Sequence, residues 1–342
     1  MLKNNSFSQT VGSRKLAVSL LVVTLMMFYS GSVWAAADKI LIRCGSIQAE
    51  NFYLHQYVKK YAELVSEKTG GRVEVKLFPS SVLGNERDMI EGLRMGTLEA
   101  VLGYTAVQAT IEPRIDVLNL PYIFKDYEHV HKVLNGPIGD ELGDSLFKKS
   151  NIRVLFWVDH AFRQVFTRDK AIKTIDDFKG LKIRTPESAV YISIFRALGA
   201  NPTPLPFGEI YTAVQTKVVD GHEQEYSGML SMKFYEVEKH CAVTDHLYNG
   251  SALYVSETFL QTLPKDIQDV LKKSAVDAGM WFRNSGGGAV QEAARKDLEK
   301  LGLKVEYPSK AALQKILYPL QDDFAKKIGA TDLLSRIRKL AN

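Results

Sequence analysis

The sequence is poor in the features that mark several large classes of protein. It has only two cysteines, Cys44 and Cys241, and no Cys-x-x-Cys motif. It has no low-complexity segment and no internal repeat at solenoid periods. Its apolar run at residues 16–29 is shorter than the roughly 20 residues that a membrane-spanning helix needs. These absences leave ordinary globular domains, and 342 residues are enough for about two of them.

Motifs of the common hydrolases are missing as well. There is no Gly-x-Ser-x-Gly motif, and His222-Glu223 does not continue into H-E-x-x-H because Tyr226 takes the place of the second histidine. Glu223 and Glu225 are acids available to a metal ion, but no ligand spacing supports one. We therefore expect neither an enzyme nor a cofactor or metal. A periplasmic hydrolase remains an alternative, which turnover would distinguish from stoichiometric binding.

The N-terminus has the composition of an export signal. Residues 1–15 carry three basic side chains and no acid, an apolar run follows, and small residues occupy positions 33, 35 and 37. This pattern predicts a secretory leader, residues 1–35, cleaved after Ala35 or Ala37, and a periplasmic mature protein. An uncleaved membrane anchor is the alternative. Losing the three leader charges takes the net charge from +5 to +2, so we expect no nucleic-acid partner.

Apolar periodicity predicts an α/β fold. Strand patterns at residues 39–44, 72–79 and 98–103 alternate with helical patterns at 51–68 and 85–95, which is typical of parallel strands with crossover helices. Strand patterns resume at 152–158, 162–167, 181–184 and 218–220, with a helix at 208–217 between the last two. Beyond residue 256 the chain reads as mostly helical. Cys44 lies in an apolar strand pattern, which favours a buried free thiol, although export permits a disulfide with Cys241.

Arg184 stands where one strand pattern ends. Thr185 and Pro186 suit the N-cap and first position of a following helix, and Glu187 suits the positive end of its dipole. Ligands of open α/β sheets bind at the carboxyl ends of strands, and a guanidinium there offers a rigid fork for a carboxylate. A surface arginine or a structural ion pair is the alternative for Arg184.

The surrounding motifs resemble those of a transport family. The segments are Gly180-Leu181-Lys182-Ile183-Arg184-Thr185-Pro186, then residues 197–204 (ALGANPTP), residues 207–215 (FGEIYTAVQ) and Val219-Asp220-Gly221-His222-Glu223. In this order they resemble the signature of the DctP-type solute-binding proteins of TRAP transporters. Residues 119–124 (NLPYIF) and 233–237 (KFYEV) resemble further segments of that family. The resemblance extends over essentially the whole mature chain.

The resemblance implies a periplasmic receptor for a small organic acid. Such a receptor closes two lobes around a carboxylate and delivers it to TRAP membrane permease subunits. We expect the ligand to be a sugar acid or another hydroxy acid. Aromatic, keto and dicarboxylic acids are the alternatives. We expect a monomer with two lobes, one formed by residues 36–160 and about 250–289, the other by residues 161–249 and about 290–342. A ligand-sensing subunit for a membrane signalling partner is an alternative function.

The resemblance also implies specific ligand contacts. Arg184 would pair with the carboxylate, and Arg163 would assist it unless it pairs with Asp159 or Asp169 instead. Gln224 stands where the family often has asparagine, and Glu225 follows where the family has proline, which weakens the transfer of any known substrate. Three further residues are candidates by position. Tyr104 follows a strand at the same end of the first lobe; the alternative for Phe207 is core packing, and that for Glu86 is a favourable charge at the helix dipole.

Overall fold

The structure is a computed structural model that describes residues 39–284 and 289–341, so the predicted leader lies outside the described residues. Its strands belong to two sheets. The strands are β1 (Ile40–Gly45), β2 (Val73–Phe78), β3 (Ala100–Tyr104), β4 (Ile152–Phe162), β5 (Gln164–Thr167), β6 (Lys182–Thr185), β7 (Asn201–Pro204), β8 (Gly221–Gln224), β9 (His240–Ala242), β10 (Tyr248–Ser256) and β11 (Lys304–Glu306).

Helices connect and flank these strands. They are α1 (His55–Lys68), α2 (Glu86–Met95), α3 (Thr105–Gln108), α4 (Tyr127–Leu134), α5 (Pro137–Ser150), α6 (Ala189–Ala197), α7 (Ile210–Gln215), α8 (Tyr226–Ser231), α9 (Glu257–Leu260), α10 (Lys265–Asn284), α11 (Ala289–Lys300), α12 (Lys310–Lys327) and α13 (Thr331–Leu340). Short 3-10 turns lie at Pro113–Asn119, Ile175–Phe178, Phe207–Glu209 and Phe234–Glu236.

The first sheet has the order β2-β1-β3-β10-β4, and the second has the order β11-β9-β5-β8-β6-β7. In the first sheet β1 lies parallel to β2 and β3, as the alternation of strands and helices predicts, whereas β10 is antiparallel to its two neighbours. In the second sheet β6 is parallel to both β7 and β8. The α/β fold class is thus confirmed, with two sheets and a helical C-terminal region.

The chain passes between the two sheets at narrow crossings. Arg163 alone separates β4 of the first sheet from β5 of the second, and residues 243–247 bring the chain back from β9 to β10. The helix α10 then packs on α1 and β4 of the first sheet, whereas α11 packs on α8 beside the second. The chain therefore passes between the sheets at residue 163 and again at residues 243–247.

Two local predictions next to the site are wrong. The helix after Arg184 begins at Ala189 with Ser188 as N-cap, not at Pro186, because Arg184 and Thr185 remain in β6 and pair with Thr203 and Pro204 of β7. The strand predicted at residues 218–220 begins instead at Gly221, after a turn in which Lys217 has a positive φ of 66°. Thr185 and Gln224 therefore both lie within strands of the second sheet.

The two cysteines lie in different sheets, Cys44 in β1 and Cys241 in β9, and both are buried free thiols. Burial raises the pKa of the Cys44 thiol to about 12. In the described part of the chain no helix is long and apolar enough to cross a membrane.

Gly221, the first residue of β8, allows β5 and β8 to approach closely. A Cβ at this position would lie 2.0 Å from the backbone oxygen of Phe166, which cannot move without distorting the ladder. We expect Gly221→Ala to lower the free energy of unfolding by about 1–3 kcal/mol or more, measured by urea denaturation. Gly208→Ala is the control, since a Cβ there meets no atom within 4 Å. Equal stability of the two variants would contradict the prediction.

Candidate functional site

A cavity lies between the two sheets, at the carboxyl ends of several strands. Tyr104 of β3 and Asn249 of β10 line it from the first sheet, and Arg184 of β6 and Gln224 of β8 line it from the second. All six residues predicted from the sequence line this cavity. They are Glu86, Tyr104, Arg163, Arg184, Phe207 and Gln224. Arg184 stands at a strand end, where ligands of open α/β sheets bind, and the ligand contacts of all six residues stay predictions.

Arg184 is a buried cation without a carboxylate partner among the described residues. Its side chain donates from Nε and Nη2 to one backbone oxygen, that of Leu205, at 2.9 and 2.6 Å. Burial lowers the pKa of Arg184 to about 10, against a weaker opposing effect of Glu223. A guanidinium this deeply desolvated still carries its charge at neutral pH, so it attracts an anion into the cavity.

Arg163 lies in the same cavity but is already paired. Its Nε and Nη2 form a bidentate contact with the Glu223 carboxylate, its Nη2 also donates to the Glu223 backbone oxygen, and its Nη1 donates to Glu225 at 2.9 Å. Burial alone would lower the pKa of Arg163, but the two carboxylates outweigh it and raise the pKa. The partners proposed as alternatives, Asp159 and Asp169, pair with other side chains.

Glu225 connects Arg163 to the first sheet. Its carboxylate lies 2.9 Å from Arg163 and 3.4 Å from Nε2 of His160, which stands in β4. Burial would raise the pKa of Glu225, but His160 and Arg163 outweigh it and lower the pKa to about 2. Glu225 is therefore ionised, and Glu223, Arg163, Glu225 and His160 form one buried network, here called the Arg163 cluster.

Glu86 faces the cavity from the start of α2. The Asn85 side chain caps this helix by accepting the Asp88 backbone N–H. The Asp88 side chain in turn accepts the Asn85 backbone N–H, and the two bonds fix the first turn. From that turn Glu86 accepts the backbone N–H of Tyr104 at 2.6 Å. Burial raises the pKa of Glu86 to about 8, only partly offset by that bond and by Arg184. Glu86 thus lines the cavity as well as standing in the first turn of a helix.

Gln224 and Phe207 both line the cavity. Gln224 is buried, and its amide nitrogen has no hydrogen-bond partner in the described part of the chain. Such a donor in a cavity is a natural partner for a ligand oxygen. The Phe207 ring lines the cavity and also packs edge-on against Phe234, with 5.9 Å between ring centroids.

Sequence reasoning missed several polar residues of the cavity. Gln48, in the loop after β1, donates to the Tyr104 hydroxyl at 2.9 Å, and Tyr191 of α6 donates to Asn249 at 3.1 Å across the two sheets. At the surface, Arg87 pairs with Glu187 at 3.0 Å. The strand-end rule applied to β1 would have pointed to Gln48, whereas the other contacts join residues far apart in sequence.

The arrangement suits the binding of a small polar molecule. Cations, amides and aromatic rings converge on a cavity between two sheets, and the histidine nearest to it, His160, is held by Glu225 and by the Asn249 backbone. Within residues 39–284 and 289–341, no group of three or more histidine, cysteine or acidic side chains is placed to hold a metal ion. Glu223 and Glu225 instead neutralise Arg163. This fold and site define a two-sheet ligand-binding protein.

Comparison with known proteins gives the family. The model of the DctP family, described as bacterial extracellular solute-binding protein, family 7, matches residues 44–327. The chain belongs to this family, the solute receptors of TRAP transporters. The family consists of receptors rather than enzymes, in agreement with the expectation from the missing catalytic motifs.

Individual relatives are similar over most of their length. The chain is 34% identical over 270 residues to the 2,3-diketo-L-gulonate-binding periplasmic protein YiaO of Escherichia coli, covering 79% of this chain and 81% of the relative. It is 32% identical to the C4-dicarboxylate-binding periplasmic protein DctP of Rhodobacter capsulatus, covering 96% of each. The sugar acid binding protein DctPAm of Advenella mimigardefordensis, solved with galactonate, superimposes with a TM-score of 0.84 at 29% identity, covering 88% of this chain and 98% of that one.

The Glu86 carboxyl should make stability depend on pH. Because its pKa is raised in the folded state, its contribution to stability is fully present below about pH 4.5 and is lost as the pH rises through about 8. The isosteric Glu86→Gln variant has no carboxyl to titrate at this position, so it does not lose stability in this way as the pH rises. We expect its stability relative to wild type to increase between pH 5 and 8, by at most about 1.4 kcal/mol per pH unit, in urea denaturation.

Glu91→Gln is the matched control, since this residue lies on the same helix with a side chain 44% exposed. Its difference from wild type should stay nearly constant with pH. A Glu86→Gln difference that is equally flat would show that the Glu86 pKa is ordinary.

Proposed function

We propose that the chain is the extracytoplasmic receptor of a TRAP transporter for a small organic acid, and that Arg184 binds the ligand carboxylate. The observation that carries this proposal is the buried Arg184 guanidinium, which lines the cavity and has no carboxylate partner among the described residues. A buried charge is costly unless it is paired, and a carboxylate is the anion that matches its fork. The ligand would supply the partner that the chain does not.

The named ligands of relatives support an acid. The proteins similar to this chain include receptors for diketogulonate and for C4-dicarboxylates, and solved structures with bound galactonate, galacturonate and erythronate. A sugar acid or another hydroxy acid fits the cavity because amide and hydroxyl groups surround the arginine, among them Gln224, Gln48 and Tyr104. In this proposal Phe207 packs on the ligand, and Glu86 accepts from its hydroxyl groups.

Closure of two lobes would exclude water from the ion pair. The lobes would be residues 36–160 with about 250–289, and residues 161–249 with about 290–342, each built around one of the sheets. Arg184 belongs to the second sheet, whereas Tyr104 and Glu86 line the cavity from the side of the first sheet. Bound acid then stabilises the closed form, because only that form contacts it from both sides. The closed receptor would deliver the acid to membrane permease subunits driven by an ion gradient.

A thermal-shift screen of the processed protein, residues 36–342, tests the proposal. The panel holds uronates, aldonates, hydroxy acids, keto acids, aromatic acids and dicarboxylates, each beside its neutral amide or alcohol. We expect at least one acid to raise the melting temperature while its neutral analogue does not, since binding to the folded state stabilises it. Equal shifts for an acid and its neutral analogue would contradict a carboxylate receptor.

Substitution of Arg184 should weaken binding of whichever acid is found. We expect Arg184→Ala to cost about 2–4 kcal/mol of binding free energy in calorimetry, because the ligand carboxylate loses its partner in a desolvated site. Arg184→Lys should also lose most of the affinity, since one ammonium cannot reproduce the planar fork. Arg196→Ala, at an exposed position of α6, serves as the control. Wild-type affinity of Arg184→Ala would refute the assignment.

A further inference from the structure

Glu86 and Arg184 are two buried groups of opposite charge that line the same cavity without forming an ion pair. Glu86 stands on α2 beside the first sheet, and Arg184 stands in β6 of the second. Among the described residues each has hydrogen bonds to the backbone only. Glu86 accepts the Tyr104 N–H, and Arg184 donates to the Leu205 oxygen. The carboxyl and the guanidinium therefore act on each other through space, across the position where a ligand would bind.

The other ionisable groups around Glu86 are either neutral or already have partners within the described residues. Burial raises the pKa of the Tyr104 and Tyr254 hydroxyls, which face α2 from β3 and β10, so both stay neutral. The groups with partners are Arg87 (with Glu187), Asp88 (with the Asn85 backbone N–H), Glu91 (with Arg94), Glu257 (with Arg153) and, across the cavity, Arg163 (with Glu223 and Glu225). Arg184 is thus the cation that favours the ionised form of Glu86.

A ligand carboxylate on Arg184 changes this balance. In the free protein burial raises the pKa of Glu86 to about 8, and Arg184 opposes that rise. When the ligand neutralises Arg184, the opposition disappears and a second negative charge lies in the same desolvated space. Coulomb interactions are weakly screened there, so the pKa of Glu86 rises further. Binding of the acid therefore draws a proton onto Glu86.

We propose that the cavity binds its acid together with a proton, and that Glu86 is the proton site. The inference rests on the proposed function and adds a second ligand, H⁺, to the same cavity. In the complex Glu86 is a neutral carboxylic acid: Oε1 keeps the Tyr104 N–H, and the acid gains an O–H donor while retaining lone pairs that accept from a ligand hydroxyl. The complex then contains the ion pair of Arg184 with the ligand and no unpaired charge beside it.

Linkage gives the direction of the pH dependence. Because the complex binds the proton more tightly than the free protein does, the acid binds more tightly wherever Glu86 is protonated. Affinity is full below about pH 8, the pKa of Glu86 in the free protein, and falls above it by at most about tenfold per pH unit. Two other buried groups titrate outside this window, since the pKa of Asp116 is about 6 and that of Arg184 about 10.

Calorimetry of the wild-type protein counts the protons. The probes are the acids bound by solved relatives, namely galactonate, galacturonate, erythronate and succinate, followed by the rest of the thermal-shift panel. Each acid that binds is titrated at pH 6.5, 8 and 9, at each pH in two buffers of different ionisation enthalpy. We expect proton uptake near zero at pH 6.5, about one half at pH 8 and more at pH 9, with the dissociation constant rising about three- to sixfold between pH 8 and 9.

Two variants assign the proton to Glu86. Glu86→Gln keeps the shape of the side chain but cannot take up a proton, so we expect no uptake and a dissociation constant that stays level between pH 8 and 9. Glu91→Gln is the control on the same helix, with a side chain 44% exposed, and its uptake should equal that of wild type. Circular dichroism shows whether each variant is folded.

Infrared difference spectra keep the test decisive if Glu86→Gln does not fold or does not bind. Addition of the acid to wild-type protein at pH 9 should produce the carbonyl band of a newly protonated carboxyl group. Absence of that band, with the acid bound, overturns the proton site.

The outcomes separate this inference from the proposed function. An acid that binds wild-type protein at pH 8 and 9 with no proton uptake, or with release, overturns the proton site and leaves the receptor for organic acids standing. Uptake that persists in a folded Glu86→Gln variant overturns the assignment to Glu86. Failure of every acid of the panel to bind overturns the proposed function, and the proton site with it.

Discussion

The desolvated charge on Arg184 is the constraint around which the cavity is organised. Removing a guanidinium from water costs several kcal/mol, and a single backbone oxygen, that of Leu205, returns only part of it. In the proposed function this cost is offset when a ligand carboxylate binds the open edge of the guanidinium. The proposal thereby links the free energy of ligand binding to closure through one group, Arg184.

The Arg163 cluster shows the opposite solution to the same problem. Arg163 stands at the one-residue crossing between β4 and β5, where the chain passes from one sheet to the other. There it holds Glu223 of β8 and the adjacent Glu225, while His160 of β4 reaches Glu225 from the other side. The charge of Arg163 is thus compensated by carboxylates at the crossing, whereas Arg184 has no carboxylate partner among the described residues.

Much of the fold and the position of the site could be predicted from the sequence, because both depend on local patterns. Apolar periodicity located β1 to β3, and the rule that ligands meet strand ends pointed to Arg184, whereas Arg163 and Gln224 were implied by the family resemblance. The start of α6 could not be predicted, since pairing of Thr185 with β7 overrides the capping preference of the sequence. The partners of Arg163 lie about sixty residues away, at Glu223 and Glu225, and no local signal marks a contact at that separation.

The two thiols have a practical consequence. Cys44 and Cys241 lie in the interiors of different sheets, and burial raises the pKa of both, so neither is a ready nucleophile for exchange. The fold therefore does not depend on a disulfide bond between its two cysteines. A chain built this way needs no disulfide isomerase to reach its native state, and recombinant protein made in a reducing cytoplasm should match protein matured outside it.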